Sequence, residues 1–235
     1  GRRRQEYKDR LKDPKFSENL VKKAQQWNTL FPQALLMSSH SNVPQALALT
    51  EKLLLVNPDP LVLWNKRRRL LLASLEHEFN ISEELSLTAS CLQRNPKAYG
   101  AWFHRKWIVS NYTSDLQKEL DLTALFLKQD ERNFHCWNYR SFCVGLLLGG
   151  SKDGSWPSIR LDNGDIVMGA QVVVTPTTTT TSTTTIVSEE ECTKILSAEW
   201  DFCSQKIQDN FSNYSALHHR SKLVLLLRDV TLSNE

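Results

Sequence analysis

Apolar residues recur along most of the chain at helical spacing. In "SDLQKELDLTALFLKQD", Leu116, Leu120, Ala124 and Leu127 fall at i, i+4, i+8 and i+11, one face of an amphipathic helix. Between such stretches a second pattern returns: an Asn or Asp, a bulky residue four positions on, Trp at seven and Arg at ten. It begins at Asn57 ("NPDPLVLWNKR"), Asn95 ("NPKAYGAWFHR"), Asp130 ("DERNFHCWNYR") and Asn210 ("NFSNYSALHHR"). Trp64, Trp102, Trp137 and then Leu217 fill the Trp position, and Arg67, Arg105, Arg140 and Arg220 fill the Arg position. The intervals are 38, 35 and 80 residues, so the third holds one repeat plus about 45 more. A period in the thirties predicts a solenoid of helical hairpins.

Each part of the pattern has a mechanical reason. Asn before Pro is biased away from the α region and ends one helix, while an Asn or Asp just beyond can cap the next. Trp and Arg three residues apart share a helix face. There the ring can fill the space between hairpins and the guanidinium can reach a carboxylate or carbonyl of the adjoining repeat.

Composition agrees with an all-α class: 40% of residues are hydrophobic, with only 8 Gly and 8 Pro in 235 residues. A net charge of +3 is too mild to imply nucleic acid. The basic N-terminus (Arg2, Arg3, Arg4, Lys8, Arg10, Lys12) is interleaved with Glu6, Asp9, Asp13 and Glu18, and reads as a solvated helix face. Five cysteines, an odd number with no CxxC and no secretory signal, predict free thiols and a cytoplasmic location. No apolar run approaches the ~18 residues of a membrane span.

The extra residues lie at 150–188. "RLDNGDIVMGAQVVV" suits a small β-hairpin around Asn163-Gly164, and the Thr/Ser run from Thr177 to Thr185 cannot pack a core. This stretch is expected to be a low-complexity surface insertion within one domain spanning 1–235, and removing about residues 155–186 is expected to leave the fold intact.

"NPKAYGAWFHR", "DERNFHCWNYR" and "NFSNYSALHHR" resemble the repeats of protein prenyltransferase α subunits, most of all those of Rab geranylgeranyltransferase (type II). The resemblance implies a right-handed α-α superhelix that wraps a β subunit and is inactive without it, and the removal described above is expected to leave β binding intact. It also implies zinc and the isoprenoid pocket on that β subunit, geranylgeranyl diphosphate as donor, and Rab GTPases presented by a Rab escort protein as acceptor. Carried over by motif, Lys97, Tyr99 and His135 face the lipid diphosphate, where an ammonium stabilises charge growing on the leaving group. By the repeat register the three sit at equivalent hairpin ends and share one rim. Tyr99 shares its position with Leu61 and Phe134, so its ring also reads as packing, and His135 reads equally as a structural histidine.

Two readings compete. Farnesyl and type I geranylgeranyl α subunits resemble one another in having Gln after the Tyr, where it holds a substrate carboxylate. This chain has Gly100, which favours the Rab enzyme and leads us to expect that Gly100→Gln raises affinity for CaaX peptides. A tetratricopeptide scaffold matches the period but lacks the Trp-x-x-Arg pairing. The tandem His218-His219, with no carboxylate or Cys at ligand spacing, reads as structural, so no metal is expected on this chain. The chain ends before the later repeats that the resemblance implies, as a fragment would.

Overall fold

The computed structural model describes residues 2–37, 42–73, 80–112, 115–152, 156, 158–160, 166–168 and 189–232. Backbone contacts divide the chain into two compact units, residues 1–104 and 105–235. In the first, α1 (Arg2–Arg10) and α2 (Pro14–Leu36) precede the hairpin of α3 (Val43–Val56) and α4 (Leu61–Ala73). Then comes α5 (Ile81–Arg94), and α6 (Tyr99–Tyr112) runs across the unit boundary. The second unit holds α7 (Leu116–Gln129) and α8 (Phe134–Leu147), then α9 (Glu189–Asp209) and α10 (Tyr214–Leu232). Helical hairpins are thus the building block of both units.

The turns form as their sequence dictates. Asn57, Asn95 and Asp130 each leave the helical region of backbone space (φ −140°, −136° and −136°) and terminate the preceding helix. Their side-chain oxygens then accept from the backbone N–H two residues on, at Asp59 (3.1 Å), Lys97 (3.1 Å) and Arg132 (3.4 Å); Asn210 does the same for Ser212 (3.0 Å). Asn133 and Asn213 cap the following helices by accepting from Cys136 N (3.2 Å) and Ala216 N (3.1 Å). The motif tryptophans complete each turn from above. The indole N–H of Trp64, Trp102 and Trp137 donates to the carbonyl six residues earlier, Pro58 (2.8 Å), Pro96 (2.8 Å) and Glu131 (2.7 Å). One ring therefore packs the core and satisfies a turn carbonyl that the helix leaves open.

The core of the first unit is Leu53, Leu54, Leu63, Trp64, Leu70 and Leu71, all essentially inaccessible. The second is built on Ile108, Leu127, Trp137, Leu196, Leu223 and Leu226. All five cysteines are free thiols. Burial pushes Cys91 and Cys136 up to about 12, which makes them inert packing groups. Among the described residues no helix is long and apolar enough to cross a membrane.

The insertion departs in one respect from a segment that packs nothing. Trp156 is buried, its indole N–H donates to the Ser141 carbonyl of α8 (3.0 Å), and its ring meets His219 edge-on (6.0 Å). A Cβ on Gly145 would lie 3.0 Å from Trp156 Cδ1, so glycine is what lets the ring seat on α8. Ser110 Oγ donates to the Lys152 carbonyl (3.1 Å) and ties the approach to α6. Beyond it, β1 (Ser158–Arg160) and β2 (Ile166–Met168) pair antiparallel with Ile159 opposite Val167. The Asn163-Gly164 turn and the Thr/Ser run lie outside the described residues. Trp156→Ala is expected to destabilise the protein by about 3–5 kcal/mol, the range for a buried aromatic. Urea denaturation tests this, and an unchanged midpoint would mean that Trp156 anchors nothing.

Candidate functional site

Three of the four motif arginines are heavily bonded. Arg67 is buried on α4; its Nε donates to both Glu84 oxygens on α5 (3.0 and 2.9 Å), and its Nη1 donates to the Leu47 carbonyl (2.7 Å) and Thr50 Oγ1 (3.0 Å) of α3. Arg140 on α8 repeats the arrangement. It donates to Glu199 Oε1 and Oε2 of α9 (2.7 Å each), to the Leu120 carbonyl and to Thr123 Oγ1 of α7 (2.9 Å each), and stacks on Phe202 at 3.6 Å. Arg105 grips Glu119 through Nε (2.6 Å) and Nη2 (2.8 Å). Arg220, in the repeat whose Trp position holds Leu217, stacks on Trp200 at 3.9 Å.

Each carboxylate has a third partner. His104 Nε2 lies 3.2 Å from Glu84 Oε2, the Tyr139 hydroxyl donates to Glu119 Oε2 (2.7 Å), and His219 Nε2 lies 2.8 Å from Glu199 Oε1. Sequence reasoning missed five of these six residues and read the sixth, His219, as structural. The signal was present: Glu84, Glu119 and Glu199 each stand eleven residues before an anchor Asn or Asp, and His104, Tyr139 and His219 each precede a motif arginine.

Burial alone would raise Glu84 and Glu199, but hydrogen bonds from His104 and Arg67 in one case, and from His219 and Arg140 in the other, hold both below the usual carboxylate range. His104 is lowered as well, because desolvation outweighs its bond to Glu84 and holds the imidazole below its ordinary 6.5. The unfolded chain therefore binds the extra proton first. Stability should fall as pH drops below about 6.5 and fall further below about 4.5 as Glu84 and Glu199 protonate. Urea midpoints measured from pH 8 to 4 test this, and His104→Gln should remove the earlier onset; an onset that survives the substitution would place it elsewhere.

Glu199, Cys203 and His219 bring ligand-type atoms within 4.8 Å of one another, a juxtaposition across α9 and α10 that the spacing around His218-His219 does not reveal. They do not suit a metal. Both Glu199 oxygens accept from Arg140, His219 is committed to the same carboxylate, and burial with the Glu199 charge pushes the Cys203 thiol up. A guanidinium on the carboxylate already occupies a cation's place.

Lys97 and Tyr99 belong to the first unit and His135 to the second. Lys97 is exposed in the turn before α6, with its backbone held by Asn95. Tyr99 opens α6, is 56% exposed and stacks on Phe103 (5.9 Å). His135 is half-buried in the first turn of α8, edge-on to the 65% exposed Phe134 (5.8 Å). Each occupies a hairpin end of its own unit.

Gly100 overturns an expectation. It is buried, not on an open rim, and a Cβ there would lie 2.4 Å from Trp64 Cδ1 and 2.9 Å from its Nε1. The glycine exists because α6 passes directly over the Trp64 ring, which also packs on His104 (4.8 Å). Gly100→Gln therefore cannot supply a peptide contact without displacing that ring. Even Gly100→Ala is expected to destabilise by about 1–3 kcal/mol through overpacking, measurable by thermal unfolding; a neutral result would require Trp64 to move freely.

The protein prenyltransferase alpha subunit repeat matches residues 81–112, 116–147 and 196–227, the segments that hold the Arg105, Arg140 and Arg220 motifs. Those three segments are similar to prenyltransferase alpha subunit repeats. Among curated proteins, geranylgeranyl transferase type-2 subunit alpha 2 of Arabidopsis thaliana is 35% identical over 120 residues, which is 47% of this chain and 16% of the relative. The rat type-2 alpha subunit is 45% identical over 71 residues (27% of this chain, 12% of the relative). The human one is 40% identical over 83 residues (30% and 14%). The chain thus covers well under a fifth of the length of these prenyltransferase relatives.

Proposed function

We propose that this chain is the hairpin-repeat region of the alpha subunit of a type II geranylgeranyl transferase. The observation that carries this reading is the exposed Lys97 in its "NPKAY" turn, set within repeats whose relatives bear the names given above. In this reading a β subunit binds the zinc and the isoprenoid, and the assembled enzyme works in the cytoplasm on Rab GTPases brought by an escort protein. In the reaction a cysteine sulfur forms a bond to the allylic carbon of geranylgeranyl diphosphate, the C–O bond breaks, and diphosphate leaves with the electron pair.

This chain's part is electrostatic. Lys97 places an ammonium where the diphosphate gathers charge, with Tyr99 and His135 as hydrogen-bonding groups at the ends of their own hairpins. The short Asx turn at Asn95 fixes the Lys97 backbone in advance, so that on binding only the side chain has still to be ordered. Because Gly100 is explained by Trp64, it does not separate this subtype from CaaX enzymes, and the type II assignment rests on the relatives.

Co-expression of the full chain with a type II β subunit, followed by lipid transfer to Rab with escort protein, is the direct test. Lys97→Ala should lower turnover by about a hundredfold, the usual scale for losing one preorganised charge donor, and leave assembly and unfolding temperature unchanged. Unchanged turnover would remove Lys97 from the site. Failure of the wild-type chain to bind the β subunit would remove the whole reading.

A further inference from the structure

Within the second unit, α8 and α10 enclose a cleft of about 220 Å³. Its walls include Phe134, Trp137 and Tyr214, and its polar lining includes Ser215, His218 and Lys222. Tyr214, His218 and Lys222 are spaced four residues apart and form one stripe of α10. The Phe134 and Tyr214 rings are 65% and 77% exposed at the mouth, whereas Trp137 is buried.

The charge in this cleft is unbalanced. Lys222 is half-buried, and desolvation pushes its ammonium below the ordinary lysine value. Among the described residues, neither the Lys222 ammonium nor the His218 imidazole has a hydrogen-bond or ion-pair partner. Glu199, which contacts the cleft-lining His219, is already engaged by Arg140 and that histidine. A partly desolvated cation without a counter-ion is unfavourable, and an anion bound beside it relieves that state. The larger cavity of about 600 Å³ between α7, α8 and α9 offers no comparable group, because its buried polar residues, Arg140 and Glu199, satisfy each other.

We propose that the α8/α10 cleft binds a small phosphate monoester with an aromatic or short apolar substituent. Lys222 supplies the counter-charge, Ser215 and His218 supply hydrogen bonds, and the Phe134 and Tyr214 rings cover the substituent. The volume lies below the roughly 300–1,000 Å³ of drug-sized pockets and so suits a single ring or short chain over a nucleotide. The assignment is independent of the transferase reading, since it concerns none of Lys97, Tyr99 or His135.

Isothermal titration of the full chain with phenyl phosphate, inorganic phosphate and benzyl alcohol tests the proposal. Phenyl phosphate should bind measurably and more tightly than either of the others. Lys222→Met should weaken it by about tenfold or more, the scale of one charge-assisted hydrogen bond, and Lys222→Arg should retain most of the affinity. Tyr214→Ala, at an exposed ring, should weaken phenyl phosphate and leave inorganic phosphate unaffected. The proposal is overturned if the wild-type chain gives no binding heat at millimolar phenyl phosphate, or if a folded Lys222→Met variant binds as the wild type does. Benzyl alcohol binding equally well would leave only an apolar crevice and overturn it too. Equal affinity for inorganic phosphate would overturn the assignment of an organic ester.

Discussion

A buried arginine that reads two helices at once is the constraint on which each unit depends. Arg67 and Arg140 send one edge of the guanidinium back to a carbonyl and a threonine hydroxyl of their own hairpin, and the other edge forward to a glutamate of the next. Taking both charges out of water is expensive, so the arrangement holds only when every donor finds its acceptor. A slip of one residue in either neighbouring helix would leave a buried charge unpaired. The interaction therefore discriminates between registers more than it adds to net stability, and the His or Tyr on the third carboxylate lone pair tightens that discrimination.

The hairpin turns are set by a different and more local chemistry. An Asx turn starts each one and an indole N–H closes the first three, so the chain direction is decided within about ten residues of sequence. In the fourth hairpin Leu217 has no side-chain N–H to close the turn, and Arg220 stacks on Trp200. Asn210 and Asn213 of that turn bond to Glu131 of the preceding one, as Asn95 does to Asp59 one hairpin pair earlier.

Much of this was legible in the sequence because its causes are local. The anchor Asn or Asp, the Trp and the Arg recur at fixed offsets, and helix periodicity with capping residues gives the hairpins directly. The acceptors of the arginines were harder to see, since Glu84, Glu119 and Glu199 lie in the next helix and only the repeated offset betrays them. Gly100 was misread for a similar reason. Its meaning depends on Trp64, thirty-six residues earlier, and a glycine required by a neighbouring ring looks the same in sequence as a glycine that leaves room for a ligand. Trp156 was overlooked because it stands alone in polar surroundings, with no periodic partner to mark it as core. At the candidate site, Lys97, Tyr99 and His135 could be placed on hairpin ends from the motif, whereas exposure and stacking required the fold.

The seating of Trp156 on α8 has a consequence for how such a protein can vary. Trp156 and the start of α9 at Glu189 are two fixed points of one unit, and the chain that joins them is tethered at both ends. The entropy of closing a loop grows only with the logarithm of its length, so doubling it costs about 0.6 kcal/mol. The anchor thus separates the packing of the repeats from the size of what is inserted between them. At this one junction, insertions and deletions over generations would meet little resistance from folding, provided that the tryptophan and its glycine seat remain.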